Sequence, residues 1–490
     1  MMLTVRTSPQ VVTAENIETG FLEFFHGRGD AILPGSPLVD EGIQMSFVMS
    51  AGLAQVEHAL SHTGRPLKKQ FALVQSCFRH FDMMESFGYS NLHLSFFRMA
   101  GAFHFGFIDQ RNRVVEVWDL LSSVYSLAPD SLWVTYFSGG EILGEIFEPD
   151  VLARQSWLNN GIHPDHIVAR EDNLWKQSRL MDSTGYPKFG PISEVFWDRG
   201  MQFACGPDCL PGCHCGRFVE FLNMLFIGWE QDLENRCLRP LEEPFVEVVI
   251  GVERLAMVLQ GASSVYEVEG FPLLLSILDE FLGSKAICGV EREHQMRLLA
   301  DHLRAMLFLV ADGAPPPGRG GRARIMRRLA RNLLVAQKLL DLPVVESGLV
   351  SPAITVLLEQ LLGFYREEQP LPGQQEPRML ASHPNLNQAS AKILNYLNAE
   401  AGLFEQTLQN GLRKLERMLL HRAEHRLSGK EMLEIEISDG VPVAYLMFIL
   451  DRGEIAYSWA EYQSARQRWQ ESNAFREDTL ARTISRRSQT

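Results

Sequence analysis

The sequence predicts an α+β protein: an antiparallel sheet flanked by helices, followed by an all-helical region. Between residues 71 and 251, aromatic and β-branched runs alternate with turn residues, as half-buried strands do. From about residue 266 the texture changes to long stretches with apolar residues at helical spacing. Two breaker segments, "GAPPPGRGG" (313–321) and "REEQPLPGQQEP" (366–377), interrupt those stretches.

The elements follow in order. Residues 17–60 read as helix, short strand and helix, with "ILPGSPLV" as the turn between. "FALVQSCFR" (71–79) and "LHLSFFRMAGAFHFGFI" (92–108) read as two antiparallel strands around a loop. "DSLWVTYF", "SEVFWD", "RFVEFLNMLFIGWEQ" and "EEPFVEVVIG" complete an antiparallel set. Residues 273–311, 323–341, 352–367, 388–425 and 454–470 read as helices. The expected units are 1–265, an α+β domain; 266–465, a helical domain; and 466–490, a polar tail. No internal repeat is evident.

Composition sets the class. The 490 residues carry a formal net charge of −14, with 46% hydrophobic and 22% charged residues, an ordinary globular balance. The N-terminus lacks the long apolar run of a secretion signal, and no apolar stretch is long enough to span a bilayer. The expectation is a cytoplasmic protein with no membrane and no DNA partner. Seven cysteines fit a reducing compartment.

Four of those cysteines, Cys205, Cys209, Cys213 and Cys215, fall within "CGPDCLPGCHC". Four thiolates satisfy tetrahedral Zn²⁺, and the glycines and prolines allow the tight path. The expectation is a structural zinc knuckle between two strands, with His214 as a substitute ligand; buried free thiols are the plainer alternative.

"VEVVIGVERLAMVLQG" (246–261) places an acid, Glu247, in an apolar strand and an arginine, Arg254, at the head of an apolar helix. Alternate strand residues share a face, so Glu247 and Val249 point the same way. Gly251 permits close backbone approach to a ligand. Arg254 suits phosphate, because it stays charged and offers forked donors. Taken alone, Glu247 and Arg254 would be read as residues neutralising partners in the core. Upstream, Arg79 ends one strand, and His93 and Phe97 open the returning one. An arginine and an aromatic so placed can hold an α-phosphate and stack on a base; the bland reading is an aromatic hairpin.

Together these stretches resemble motifs 2 and 3 of the class II aminoacyl-tRNA synthetases, specifically of the alanyl-tRNA synthetase family. Cys77–Arg79, "ESFGY" and "HLSFFRMAGAFHFG" match its motif 2 region, and "GVERLAMVLQG" matches the end of motif 3. "ADHLRAMLFLVADG", "GRARIMRRLAR", "FEQTLQNGLRKLE" and "DGVP" resemble landmarks of its tRNA-recognition domain, in order. The resemblance spans about residues 20 to 465. It implies the class II antiparallel sheet and an ATP- and Mg²⁺-dependent ligase that activates an amino acid for transfer to tRNA. Arg79, His93, Phe97, Gly251, Glu253 and Arg254 then correspond to the ATP site, with Arg79 and Arg254 on the phosphates and Phe97 on adenine. Asn223 and Glu247 correspond to amino acid ligands, Glu247 receiving the ammonium group, with Val249 beside them. A carboxylate is already ionised at neutral pH, so adenylate formation asks for placement and charge stabilisation, with no general base.

Departures from the family pattern bear on substrate and acceptor. The loop after Arg79 is shorter. The family's Asp-Thr-Gly is Glu247-Val248-Val249 here, which reshapes the pocket toward a small amino acid, alanine first, then glycine or serine. Arg319, Arg322, Arg324, Arg327, Arg328 and Arg331 form a concentrated basic feature in an acidic chain. Arg324, Arg327, Arg328 and Arg331 share one wheel face, opposite Ile325, Leu329 and Leu333. The expectation is contact with tRNA phosphates, the alternative a solvated helix face. Arg319 and Ile437 stand where the family reads the G·U pair of its tRNA, and the family's editing motifs are not found. The sequence therefore resembles a paralogue without that editing domain. Three readings stay open: an alanine-tRNA ligase-like enzyme, an activating enzyme passing its adenylate to a small molecule or protein, and a non-catalytic RNA-binding protein.

Overall fold

The structure is a computed structural model. It describes residues 12–469 apart from 41–46, 53–68, 80–86, 107–108, 143, 178–186, 233–236, 345–348, 371–375 and 421–425. Part of the helix expected within 17–60, the loop after Arg79 and the 466–490 tail beyond residue 469 lie outside the described residues.

Helix α1 (Ala14–His26) starts at Thr13, whose hydroxyl accepts from the Asn16 amide while the Asn16 side chain accepts from the Thr13 N–H. This reciprocal cap satisfies donors that a first helical turn leaves unpaired. The nine-stranded sheet comprises β1 (Ala31–Ile32), β2 (Gln70–Phe78), β3 (Phe96–Phe105), β4 (Leu132–Phe137), β5 (Ile167–Arg170), β6 (Leu174–Lys176), β7 (Lys188–Asp198), β8 (Phe218–Asp232) and β9 (Cys237–Gly251). Its order is β1-β2-β3-β9-β8-β7-β4-β5, with β6 also pairing β7. The central strands are antiparallel, as expected; the edge pairs β1–β2 and β4–β5 are parallel, which alternation alone does not reveal.

The sheet has two different faces. Val246, Val248 and Ile250 point into the main core with Ala100, Ala102, Leu222 and Met224. Phe245 and Val249 point the other way, into a smaller cluster with Phe71, Leu73, Phe103, Phe105, Leu225 and Ile227. Period-two alternation along β9 thus separates a structural face from a face that carries Glu247.

The further helices are α2 (Gln110–Asp119), α3 (Val151–Asn159), α4 (Val252–Gln260), α5 (Phe271–Glu280), α6 (Gly289–Ala311), α7 (Gly321–Leu339), α8 (Pro352–Arg366) and α9 (Leu386–Leu419). Helix α6 is buried on all sides from His294 to Ala311, apart from the half-buried Arg297. It is apolar without a break only from Ala305 to Ala311, and before that buried polar residues interrupt the pattern. Its polar residues bind the sheet: Asp301 accepts the Ser95 amide at 3.0 and 3.2 Å, and Arg304 donates to Phe96 O at 3.1 Å. The helix expected over 273–311 is two helices, broken near Gly283. A Cβ there would lie 2.2 Å from the Asp341 carbonyl oxygen, so close packing of two backbones requires the glycine. Helices α10 (Gly429–Asp439) and α11 (Val443–Arg452) were not expected; with the end of α9 they form a separate core around Leu408, Leu433 and Leu446. Among the described residues, no helix is long and apolar enough to cross a membrane.

Candidate active site

Glu247 is the centre of the sheet's second face. It lies opposite Phe103 on β3 and Leu225 on β8, and only 4% of its surface is exposed. Burial pushes its carboxyl up to about 8. Among the described residues, no hydrogen bond or ion pair reaches it. Asn223, one register step away opposite Val249, donates from Nδ2 to Glu220 Oε1 at 2.9 Å. Its Oδ1 is buried and has no donor. An unpartnered carboxyl and an unpartnered acceptor thus face the same space, and once Glu247 ionises two acceptors stand there without a cation between them. Unsatisfied buried polar atoms are costly, and a ligand cation is one explanation for their retention.

The end of this face carries the basic residues. Arg79 follows β2, its amide donating to Ser95 O at 2.8 Å, and its side chain is exposed. Phe97, half-buried, lies opposite Cys77. Arg254 leaves the first turn of α4; its Nε donates to Leu92 O at 3.0 Å and one Nη to Glu220 O at 2.9 Å. His93 accepts or donates at Nδ1 to Ser90 Oγ at 2.6 Å. Burial holds its ring down to about 3, helped by the charges of Arg254, Arg79 and His214. A neutral imidazole between two guanidinium groups leaves the local charge positive, which suits polyphosphate.

Gly251 has an ordinary φ of −77°, and a Cβ there would make only ordinary contacts, with the Arg254 stem at 3.9 Å and Phe221 O at 4.0 Å. The fold itself does not demand glycine at this position. Glu253 is placed elsewhere. It is buried behind the sheet, where it accepts from the Arg98 amide at 2.9 Å and from Arg304 at 2.8 Å. Arg98 also pairs with Glu18 at 2.9 Å and reaches Glu269 and Glu368. Glu253 therefore ties α4 to β3 and α6, and does not face the space around Arg254.

Several neighbours were not anticipated. Glu194 on β7 lies opposite Asn223 and is pushed up to about 7 by burial and by Glu220. Thr135 donates to Glu194 at 2.7 Å and receives the Asn173 amide, also at 2.7 Å. Trp175 and Ile192 pack on the Val249–Leu225 cluster. The missed signal was an acid inside the apolar strand "SEVFWD", the same signal that singled out Glu247.

The four clustered cysteines do converge. Their sulfurs all lie within 4.8 Å of one another, and none is in a disulfide. Arg217 braces the loop, donating to Asp198 at 2.8 Å and to Cys209 O at 3.3 Å, while its amide pulls the Cys215 thiol down to about 6. Four soft donors so close together fit a tetrahedral Zn²⁺, with Cys205, Cys209, Cys213 and Cys215 as the ligands. The knuckle leads directly into β8.

The basic feature on α7 is divided. Arg319, Arg324 and Arg328 are exposed. Arg322 donates to Asp40 O at 2.6 Å. Arg327 and Arg331 instead grip the buried Glu400 of α9, at 3.3 and 2.7 Å. The shared face expected from the helical wheel is therefore split, because a carboxylate from a distant helix claims one side of it. Ile437, on α10, is 40% exposed.

The family model described as tRNA synthetases class II (A) matches residues 16–488. The chain is 31% identical to an alanine--tRNA ligase of Nitrosomonas europaea over 88% of its length and 45% of that protein. It is 29% identical to an alanine--tRNA ligase of Rubrobacter xylanophilus over 93% of its length and 49% of that protein. The chain thus spans about half the length of the curated relatives it matches. A solved histidyl-tRNA synthetase of S. aureus is similar at 12% identity and a TM-score of 0.30, covering 62% of this chain and 81% of that one.

Proposed function

The chain belongs to the class II (A) tRNA synthetases, and from that premise we propose that it activates a small amino acid, alanine first, and transfers it to tRNA. The catalytic unit is 1–265 and the helical unit 266–465. The observation that carries this reading is the pair of acceptors without a donor, the Glu247 carboxylate and Asn223 Oδ1, on the face that also presents Phe97 and Arg254.

The α-ammonium of the substrate sits between Glu247 and Asn223. Val249 packs in one cluster with Leu225, Ile192 and Trp175, and this apolar surround favours a small side chain. One methylene in such a pocket alters selectivity by about 1–3 kcal/mol. ATP lies toward the other end of the face, its base on Phe97, its phosphates on Arg79, Arg254 and the Mg²⁺ it brings. The amino acid carboxylate attacks the α-phosphorus, the bond to the β-phosphate oxygen breaks, and pyrophosphate leaves with the charge. The arginines stabilise the negative charge that builds on the phosphoryl oxygens. A tRNA ribose hydroxyl then attacks the carbonyl, and AMP departs. Zn²⁺ in the knuckle has a structural part: it fixes the loop entering β8, and no chemical step passes through it.

Arg319 and Ile437, at the positions where the family reads its G·U pair, favour a second reading: transfer of the aminoacyl group to a small molecule or protein. Amino acid-dependent exchange of pyrophosphate into ATP, followed by aminoacylation with and without tRNA, tests both. Exchange with alanine and charging of alanine tRNA support the first; exchange without charging supports the second. Absence of exchange with every small amino acid rejects both.

A further inference from the structure

The helical half contains a cavity that the proposed chemistry does not use. It has a volume of about 500 Å³ and lies between the C-terminal half of α7, the segment after it (Asp341, Leu342, Val344 and Leu349), α9, α11 and the loop after α5. That size falls within the range of small-molecule sites. Its floor is apolar: Leu334 and Phe404 are almost fully buried. Two half-buried aromatic rings form a wall, Tyr445 and Phe448, with centroids 6.1 Å apart and planes 33° apart.

The rim is cationic. Lys285, Lys338 and Arg452 line it, against Asp341 and Glu405. Lys338 is paired with Glu405 at 2.8 Å. Arg452 lies over Phe448 at 4.5 Å and donates to the Lys285 carbonyl at 2.8 Å, which fastens α11 to the α5–α6 loop. The Lys285 amide is held by Asp341 at 3.0 Å, and its exposed ammonium has no partner among the described residues. The Tyr445 hydroxyl also has none; burial and Glu405 raise it, while Lys338 and Arg452 act in the opposite direction.

An aromatic wall, an apolar floor and a cationic rim match a planar ring carrying an anionic group. Phosphate suits the lysine and arginine donors, and a base suits the tyrosine and phenylalanine faces. We propose that this cavity binds a nucleoside 5′-phosphate, with its base against Tyr445 and Phe448 and its phosphate at Lys285 and Arg452.

Two sources share that chemistry: a free mononucleotide, or an unstacked nucleotide of RNA. Helix α7 links the cavity to exposed Arg324, since fourteen residues of helix span roughly 20 Å. RNA held at the exposed Arg324 and Arg328 therefore has the cavity within reach, although α7 itself is buried from Leu333 to Gln337. The RNA form of the inference rests on the tRNA reading above, and the mononucleotide form does not.

The test uses the full chain with two probes: AMP by equilibrium dialysis, and a short single-stranded oligoribonucleotide by filter binding. AMP is measured in an Arg254→Ala background, to weaken the catalytic site. Tyr445→Ala and Lys285→Glu should each weaken binding of at least one probe by about tenfold, the scale of one lost stacking contact. Weakened AMP with unchanged oligonucleotide identifies a free nucleotide, and weakened oligonucleotide identifies RNA. Binding of AMP here without binding of the oligonucleotide retains the cavity in its mononucleotide form, and the charging assay above decides the tRNA reading separately. If Tyr445→Ala melts early, the exposed Lys285→Glu carries the test. Unchanged binding of both probes in Lys285→Glu and in a folded Tyr445→Ala overturns the proposal.

Discussion

Asn223 lies opposite Val249, two residues along β9 from Glu247, so Glu247 and Asn223 share one face of the sheet, and each presents to it a polar oxygen without a partner. Two buried acceptors side by side hold the fold together less well than two apolar residues would. On the proposed reading, a cation that arrives with the substrate offsets that cost.

A pH dependence follows from that arrangement. The Glu247 carboxyl is protonated in the empty protein until pH reaches about 8, and only its ionised form attracts ammonium. The KM for the amino acid should fall as pH rises toward 8 and then level off. Glu247→Gln should raise KM by at least an order of magnitude and flatten this profile. Stability runs the other way. The folded protein holds a proton that the unfolded chain releases near 4.5, so wild-type stability falls as pH rises from 4.5 to about 8. Glu247→Gln should therefore melt above wild type at pH 8, with the gap closing toward pH 4.5. A gap that does not change with pH would show that the carboxyl is not buried and protonated.

Arg254 is held by the Leu92 and Glu220 carbonyls rather than by a close carboxylate; the nearest, on Glu220, is 3.8 Å away. Its charge is thus positioned yet still available. Arg254→Ala should lower pyrophosphate exchange by about 10²–10³-fold with little change in melting, since such donors act mainly in the transition state. A drop confined to the KM for the amino acid would place Arg254 outside the phosphate site.

Some of this was legible in the sequence and some was not, for physical reasons. Strand β9 was readable because an acid interrupts a period-two apolar pattern and a glycine and arginine follow. The same kind of signal in β7 was passed over, so Glu194 and its Thr135–Asn173 support were missed. Glu253 looked like part of the phosphate site because it adjoins Arg254. Yet neighbours at the start of a helix point about 100° apart, and Glu253 turns to Arg98 and Arg304. The α7 face could not be read from a wheel, because the residue that divides it, Glu400, lies 69 positions beyond Arg331. Helices α10 and α11 are short, and their apolar positions fill a local core that gives a weak periodic signal.

Zinc should co-purify with the protein at about one ion per chain, the stoichiometry of a four-thiolate site. The ligands adjoin the Arg217–Asp198 pair and the start of β8, so metal loss should loosen the entrance to Glu220 and Asn223. Cys213→Ser should lower both metal content and melting temperature. A metal-free protein whose melting is unaffected by chelator would leave the cysteines as free thiols.

The last prediction separates the two sets of α7 arginines. Arg324 and Arg328 are exposed, whereas Arg327 and Arg331 bind the buried Glu400. Reversing the first pair to Glu should weaken binding of a tRNA-shaped RNA and reduce its salt dependence, because each lost phosphate contact releases fewer counterions. Pyrophosphate exchange should not change, since this helix lies outside the sheet. Replacing Arg327 and Arg331 with Ala should do something different: Glu400 would be left buried and unpaired, at a cost of about 3–5 kcal/mol. That variant should melt early, and Glu400→Gln in the same background should restore much of the loss. Binding measured on alanine tRNA and on its G·C variant adds the specificity arm. With Arg319 and Ile437 at the reading positions, the two RNAs should bind alike. A large preference for the G·U form would show that other residues read the pair, and would favour tRNA as the acceptor over a small molecule or protein.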